Sequence, residues 1–370
     1  MKILLLTPWF PNPENPTLGN FILRQFELIA AHHDVYLLAF SANRTAGKSV
    51  SCESTEKYGF KGWHITHRSG QGPLSWRYAR KGRSLGLSLM EEDSFFPELV
   101  HAQIAHQIGD LLHRIKKNRS IPIVSSEHWS GYLEERNENL RTAERFRKWL
   151  AIRSVDVLLP VTNQLGEAMK RSGFTAQDIC IWRNPVNDRL FKPSPKKIFD
   201  FMHLSSLDAN KRPLEIIRSF HELLKDHPNA RLSIGGDGAT EPLFALREEL
   251  GISPKNLDIH GSMNYKEVAE RMRSARCLVQ FSRYENLPCT IGEALTAGLM
   301  IISSDVGGIR ELVNEENGLL VPRDGHKALF QAMKSSMESP LIPKAFDLLK
   351  TKKLMDRIDA IYEEILRKRN

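Results

Sequence analysis

Cysteine is scarce in this chain. Its four residues, Cys52, Cys180, Cys277 and Cys289, form no C-x-x-C pair, which argues against a zinc ribbon or a disulfide framework and fits a reducing compartment. No run approaches the roughly 20 apolar residues needed to span a bilayer. The opening run Ile3–Leu6 is too short for a signal-peptide core and soon meets Pro8, so a cytoplasmic protein is expected. D-x-D does not occur, nor does any Cys/His spacing suited to a metal, so metal independence is expected. G-x-G-x-x-G is missing too, which leaves a nicotinamide site poorly supported. Repeats and low-complexity segments are absent.

What is present is enough for two domains: 370 residues, 41% of them hydrophobic. The formal charge is +8, from 52 basic against 44 acidic residues, and most of the excess precedes residue 186. A basic surface suits nucleic acid, anionic lipid or phosphorylated substrates, and charge alone does not choose among them. No nucleic-acid reader motif accompanies it.

Short apolar runs alternate with amphipathic helical stretches almost throughout. "KILLLT", "DVYLLAF", "PELVHA", "IPIVSSEH", "DVLLPVT" and "DICIW" read as buried strands, with helices between most of them. This rhythm predicts an α/β protein with parallel, doubly wound sheets. Residues 41–96 are less regular and predict only scattered strands and a basic helix. The stretch "RNPVNDRLFKPSPKKIFD" has three prolines and no periodicity, and reads as a linker. A second βα series follows, from "FMHLSS" to "MIISSD". The predicted domains are therefore 1–185 and 186–340, two Rossmann-like units facing across a cleft. A helical tail, 341–370, is expected to pack back on the first.

"SRYENLPCTIGEALTAG" places Glu285 and Glu293 on either side of a strand-to-helix loop. The helix start, near Pro288, offers unpaired N–H groups and partial positive charge, which favour a phosphate. A carboxylate would be repelled by that phosphate, so each glutamate should face neutral hydroxyls instead. A ribose offers two adjacent ones to Glu293, and a sugar offers others to Glu285. Diphosphate in the middle, ribose on one side and sugar on the other describes a nucleotide sugar. The plainer reading is a solvated loop charge and a helix-dipole residue.

"YENLPCTIGEALTAGLMIISSDVGGIRELV" resembles the E-x7-E segment of retaining GT-B glycosyltransferases of family 4, the glycosyl transferases group 1. "KILLLTPWFP…TLGNFI", "ELVHAQ" and "PVTNQLGEAMKRSGF…ICIWRNPVNDRLFKP" resemble other segments of the same family, in order. The resemblance covers most of residues 1–335 and implies transfer of a hexose from a nucleoside diphosphate sugar to a hydroxyl of a growing glycan. It implies that Glu285 holds sugar hydroxyls and Glu293 the ribose. Lys211, in "SSLDANKRP", would contact the diphosphate with the backbone around Asn286, Leu287, Pro288, Cys289 and Thr290. His128 would lie near the transferred sugar and acceptor, with Trp129 beside it for sugar stacking. His101 is a weaker candidate. Gly19 and Gly236, the latter in "IGGDGA", would let backbone approach the donor.

Many family members carry an arginine five residues before that lysine; here Ser206 stands, with Arg183, Arg212 and Arg283 as candidate replacements. The first domain is expected to take the acceptor, a glycan or lipid-linked saccharide. Its basic stretches, Arg77–Arg83, Arg114–Arg119 and Arg141–Arg153, leave peripheral contact with an anionic membrane open. In the last of these, Arg141, Arg145 and Lys148 are expected on one helical face. Front-face attack, with the leaving phosphate as base, is the expected retaining route. A hydrolysing epimerase of the same fold, a non-catalytic nucleotide-sugar sensor and a nucleic-acid-binding protein are the alternatives.

Overall fold

The computed structural model describes every residue except 13–14, 16, 44–48, 70–72, 134–147, 150, 340, 342, 344–345 and 369–370. Its contacts divide the chain into two compact units: Met1–Pro185 with Leu354–Asn370, and Val186–Lys353. Residues 341–353 thus cluster with the second unit, and only the segment from Leu354 onward joins the first.

The first unit is built on eight strands: β1 (Lys2–Thr7), β2 (Asp34–Asn43), β3 (Val50–Ser54), β4 (Gly62–Arg68), β5 (Leu99–Gln103), β6 (Ile123–Glu127), β7 (Val157–Pro160) and β8 (Asp178–Ile179). Their order is β3-β4-β2-β1-β5-β6-β7-β8, parallel except for the β3–β4 pair. Ile3, Leu4, Leu5 and Leu6 of β1 are all buried, as expected for a central parallel strand covered on both faces. The irregular region 41–96 resolves into the end of β2, the antiparallel hairpin of β3 and β4, and the helix Pro73–Glu92. The helix Thr351–Arg367 closes the unit. Trp182 Nε1 donates to Leu354 O at 3.0 Å, Asp359 meets His33 at 2.7 Å, and Tyr362 is fully buried.

The second unit holds β9 (Phe199–Ser205), β10 (Leu232–Gly236), β11 (Leu257–His260), β12 (Ala275–Gln280), β13 (Met300–Ser304) and β14 (Gly318–Val321). Their order, β11-β10-β9-β12-β13-β14, is parallel throughout. Phe201, Ile234, Val279 and Ile302 come from four strands and join Ile216, Ile217 and Phe220 of the helix Pro213–Leu223 in one buried cluster. Burial of each such side chain contributes roughly 1.5–3 kcal/mol. Pro213 opens its helix at the position where the missing N–H costs nothing.

Candidate functional site

Strand order reverses between β1 and β5 in the first unit and between β9 and β12 in the second. Loops leaving such neighbours run to opposite faces of the sheet, and the gap at their carboxyl ends is where ligands of doubly wound sheets bind. In the second unit these loops are residues 206–212 and 282–288. Ser206, Lys211, Glu285, Asn286, Leu287 and Pro288 lie on them.

The loop after β9 contains two non-glycine residues in left-handed backbone, Leu207 (φ 53°) and Arg212 (φ 50°), at a cost of about 1 kcal/mol each. Polar contacts hold it. Asp208 Oδ1 accepts the amides of Asn210 (2.8 Å) and Lys211 (3.1 Å), while Oδ2 accepts the Ser206 hydroxyl (2.7 Å). Burial opposes the charge on Asp208. The Ser206 hydroxyl, these amides and the nearby Lys211 charge outweigh it and hold the carboxyl below its ordinary value. Beneath the loop, His203 Nδ1 donates to Val279 O at 2.8 Å, so Nε2 is left to accept from the Ser205 hydroxyl, also at 2.8 Å. Burial pushes His203 down to about 4, and the ring is neutral at pH 7.

Lys211 Nζ reaches Glu285 Oε1 at 2.5 Å. The same oxygen accepts the Ser282 hydroxyl at 2.7 Å and lies 3.4 Å from Gln280 Nε2. Among the described residues no donor is directed to Oε2, so that oxygen retains its capacity to accept a ligand hydroxyl. Glu285 is 8% exposed. The loop after β12 is fixed from below by Ser304 Oγ donating to Ser282 O (2.7 Å) and Gly308 N to Asn286 O (2.8 Å). Gly307 (φ 55°) is required here, because a Cβ would lie 1.9 Å from Glu285 O.

The helix Cys289–Thr296 follows, with Pro288 as its extended N-cap rather than its first residue. It has no side-chain cap and no acid in its first turn, so its dipole favours an anion there. Cys289 and Thr290 at this end are half-buried. Glu293, in the second turn, is 2% exposed.

Gly236 is fixed by packing. It pairs with Ser205 in the sheet, and its Cβ would fall 1.6 Å from Ser205 O. A Cβ on Gly238 would meet Ser206 O at 2.1 Å. These glycines bring the β10 turn against the root of the lysine loop.

Two residues of this region have partners within the unit. The Ser206 hydroxyl donates to Asp208 Oδ2. Arg212 reaches Arg323 O and Asp324, both at 2.5 Å, with its guanidinium over Phe281. Arg283 is exposed beside the lysine loop, and its amide donates to Asn210 O at 2.9 Å. Arg183 belongs to the first unit. Asn210 was not identified from the sequence. Its side chain bridges to the backbone of Tyr284, and only its place beside Lys211 hinted at a role.

Gly19, His128, His101 and Trp129 lie in the first unit. Gly19 (φ 73°) caps the helix Asn20–Ala30, where a Cβ would strike Trp9 O at 2.4 Å. His128 is buried beneath Phe21, and its Nε2 lies 2.8 Å from Gln103 Oε1. Gln103 Nε2 in turn donates to Gln25, and Gln25 Nε2 to Asn184. That series assigns the proton to Nε2 and leaves the lone pair on Nδ1. Burial, helped by His101, pushes His128 down to about 3, so it is neutral at pH 7.

His101 is structural: fully buried, it meets Tyr362 OH at 2.5 Å and Ser126 Oγ at 2.8 Å. Lys148 Nζ sits 3.6 Å from the centre of the Trp129 ring, so a cation already lies over one face of that ring. Lys148 is itself 3% exposed and so does not belong to a solvated basic face. Arg141 and Arg145, expected on that face with it, lie outside the described residues. Arg77, Arg80 and Lys81 are exposed around Trp76. Among the described residues no helix is long and apolar enough to cross a membrane.

Two family models match this chain: Glycosyl transferases group 1 over residues 187–353 and Glycosyltransferase Family 4 over residues 26–190. TuaC of Bacillus subtilis, a glycosyltransferase named for teichuronic acid biosynthesis, is 24% identical over 90% of this chain and 88% of its own length. The structure of Anabaena HepE in complex with UDP aligns over 98% of this chain and all of that one, with a TM-score of 0.76 at 15% identity. Sucrose-phosphate synthase from Thermosynechococcus elongatus aligns over the full length of both chains, with a TM-score of 0.73 at 16% identity. At such identities the structural likeness establishes the fold, GT-B, with its two parallel-sheet α/β domains.

Proposed function

The chain belongs to the group 1 glycosyltransferases of GT-B fold, and from that premise we propose that it moves a hexose from a nucleoside diphosphate sugar to a hydroxyl of a growing glycan. The observation that carries this reading is the Lys211–Glu285 pair at the strand-order reversal of the second unit, beside an uncapped helix N-terminus. In this reading the diphosphate lies at the start of the helix Cys289–Thr296. Lys211 exchanges Glu285 for a phosphate oxygen and stabilises the charge that builds on the leaving group. Glu285, released from the lysine but still held by Ser282, accepts sugar hydroxyls through Oε2. Glu293 takes the ribose. In this reading His128, neutral at pH 7, lies near the transferred sugar and acceptor.

The reaction retains configuration by front-face attack, the departing phosphate taking the acceptor proton. Lys211 and the helix amides supply the counter-charge without a metal. The glycan is a surface polysaccharide or a lipid-linked oligosaccharide, and the exposed Trp76, Arg77, Arg80 and Lys81 rest on an anionic membrane. The HepE complex with UDP supports a uridine donor as the first to try.

The test is a panel of UDP-, GDP- and ADP-sugars, screened by thermal shift and then incubated with lipid-linked acceptors in the presence of EDTA. Extension of the acceptor with an α-linked sugar from an α-linked donor is expected. Free epimerised sugar, binding without turnover, or transfer that EDTA abolishes would each reject part of this reading.

A further inference from the structure

We infer that Asn210 is a positioning residue that holds Lys211 and Glu285 in register, an inference that rests on the donor site proposed above. Lys211 and Glu285 come from loops 74 residues apart in sequence. Neither loop belongs to a sheet ladder, so strand pairing does not fix the distance between their tips. Asn210 supplies that connection through three hydrogen bonds. Its Nδ2 donates to Tyr284 O at 3.1 Å, its Oδ1 accepts the Tyr284 amide at 3.1 Å, and its backbone oxygen accepts the Arg283 amide at 2.9 Å.

The bonded residues directly precede the two ends of the ion pair, Asn210 before Lys211 and Tyr284 before Glu285. The carboxamide binds both polar groups of one residue, as a strand neighbour would, which fixes orientation as well as distance. Behind it the backbone is strained at Leu207 and Arg212, so the loop has alternatives to relax into once the bridge is lost. Aspartate at this position could still accept from the Tyr284 amide but could not donate to Tyr284 O. Alanine would lose both side-chain bonds and keep only the backbone one.

A bridge of this kind acts through the lysine. When the donor enters, Lys211 must leave Glu285 for the diphosphate, and Asn210 keeps the ammonium aimed at the same point while Tyr284 holds the carboxylate in place. Its removal should lower kcat more than it raises the donor KM, because misplacement weakens interactions that strengthen in the transition state.

The experiment is a double-mutant cycle on the full-length chain, comparing Asn210→Ala, Lys211→Ala and the double variant with the parent, and adding Asn210→Asp. Sugar transfer from the donor found in the panel is measured alongside the thermal midpoint. Asn210→Ala should lower kcat about 10- to 100-fold with the donor KM changed less than about threefold. Asn210→Asp should recover part of the loss, and in the Lys211→Ala background Asn210→Ala should cost little more. Equal fold losses in both backgrounds, a loss confined to the donor KM, or loss of folded protein in both Asn210 variants would overturn the inference. Lys211→Ala with undiminished transfer would instead reject the donor site on which it rests.

Discussion

Glu285 and Lys211 show how neighbours assign work to a side chain. Free in water, the two charges would attract by about 1 kcal/mol at contact and be screened by salt. Here they meet at 2.5 Å, largely buried, with Ser282 and Gln280 directed to the same carboxylate oxygen. One oxygen takes all three donors and the other keeps its capacity to accept. Glu285→Gln keeps the shape and an acceptor oxygen but removes the charge, and should lower turnover by about 10²-fold or more with little change in thermal midpoint. Lys211→Ala removes the cation proposed above to meet the leaving group and should cost at least as much. Steady-state transfer assays check both, and rates equal to the parent would reject the assigned roles.

At the scale of elements, the second sheet places two loops side by side and small residues let them close. Gly307 touches the backbone of Glu285, Gly236 that of Ser205, and Gly238 that of Ser206. Gly307→Ala meets two penalties, a left-handed backbone (φ 55°) worth roughly 1 kcal/mol and a Cβ 1.9 Å from Glu285 O. The loop after β12 must move to admit it. Transfer is expected to fall by about tenfold or more, with donor affinity weakened. A crystal structure of the variant with Glu285 in place, or unchanged kinetics, would show that the glycine is not needed for the site. In sequence the "VGGIRE" segment shows only a likeness to the family; its contact with the glutamate loop exists only in three dimensions.

At the scale of the whole molecule, each unit buries histidine in the neutral state. Burial lowers His101 and His128 from 6.5 to about 3 in the first unit, and His203 to about 4 in the second. In the unfolded chain these side chains bind protons below about 6.5 and in the folded chain they do not. The unfolded state therefore holds more protons as pH falls, and stability present above 6.5 is lost progressively toward pH 3–4. Each histidine contributes a slope approaching 1.4 kcal/mol per pH unit once the pH is well below 6.5. The thermal midpoint should drop by several degrees between pH 7 and pH 5, above the range where most carboxylates titrate. A flat or rising midpoint across that window would count against neutral burial.

The alternation of apolar runs and amphipathic helices was enough to determine two doubly wound units, because strands buried on both faces must be apolar throughout and helices covering them must be apolar on one face. The spacing of Glu285 and Glu293 about a loop, and the lysine shortly before Pro213, pointed to the candidate site of the second unit for a similarly local reason: helix starts attract anions wherever they occur. Which polar groups were already committed was not legible. Ser206 bonds to Asp208, two residues on, but Arg212 turns to a loop more than a hundred residues away, and Lys148 covers Trp129. Asn210 joins loops that no sequence window contains together. A side chain's type fixes what bonds it can make; the packed chain decides which of them it makes, because the partner is brought within 3 Å by the fold.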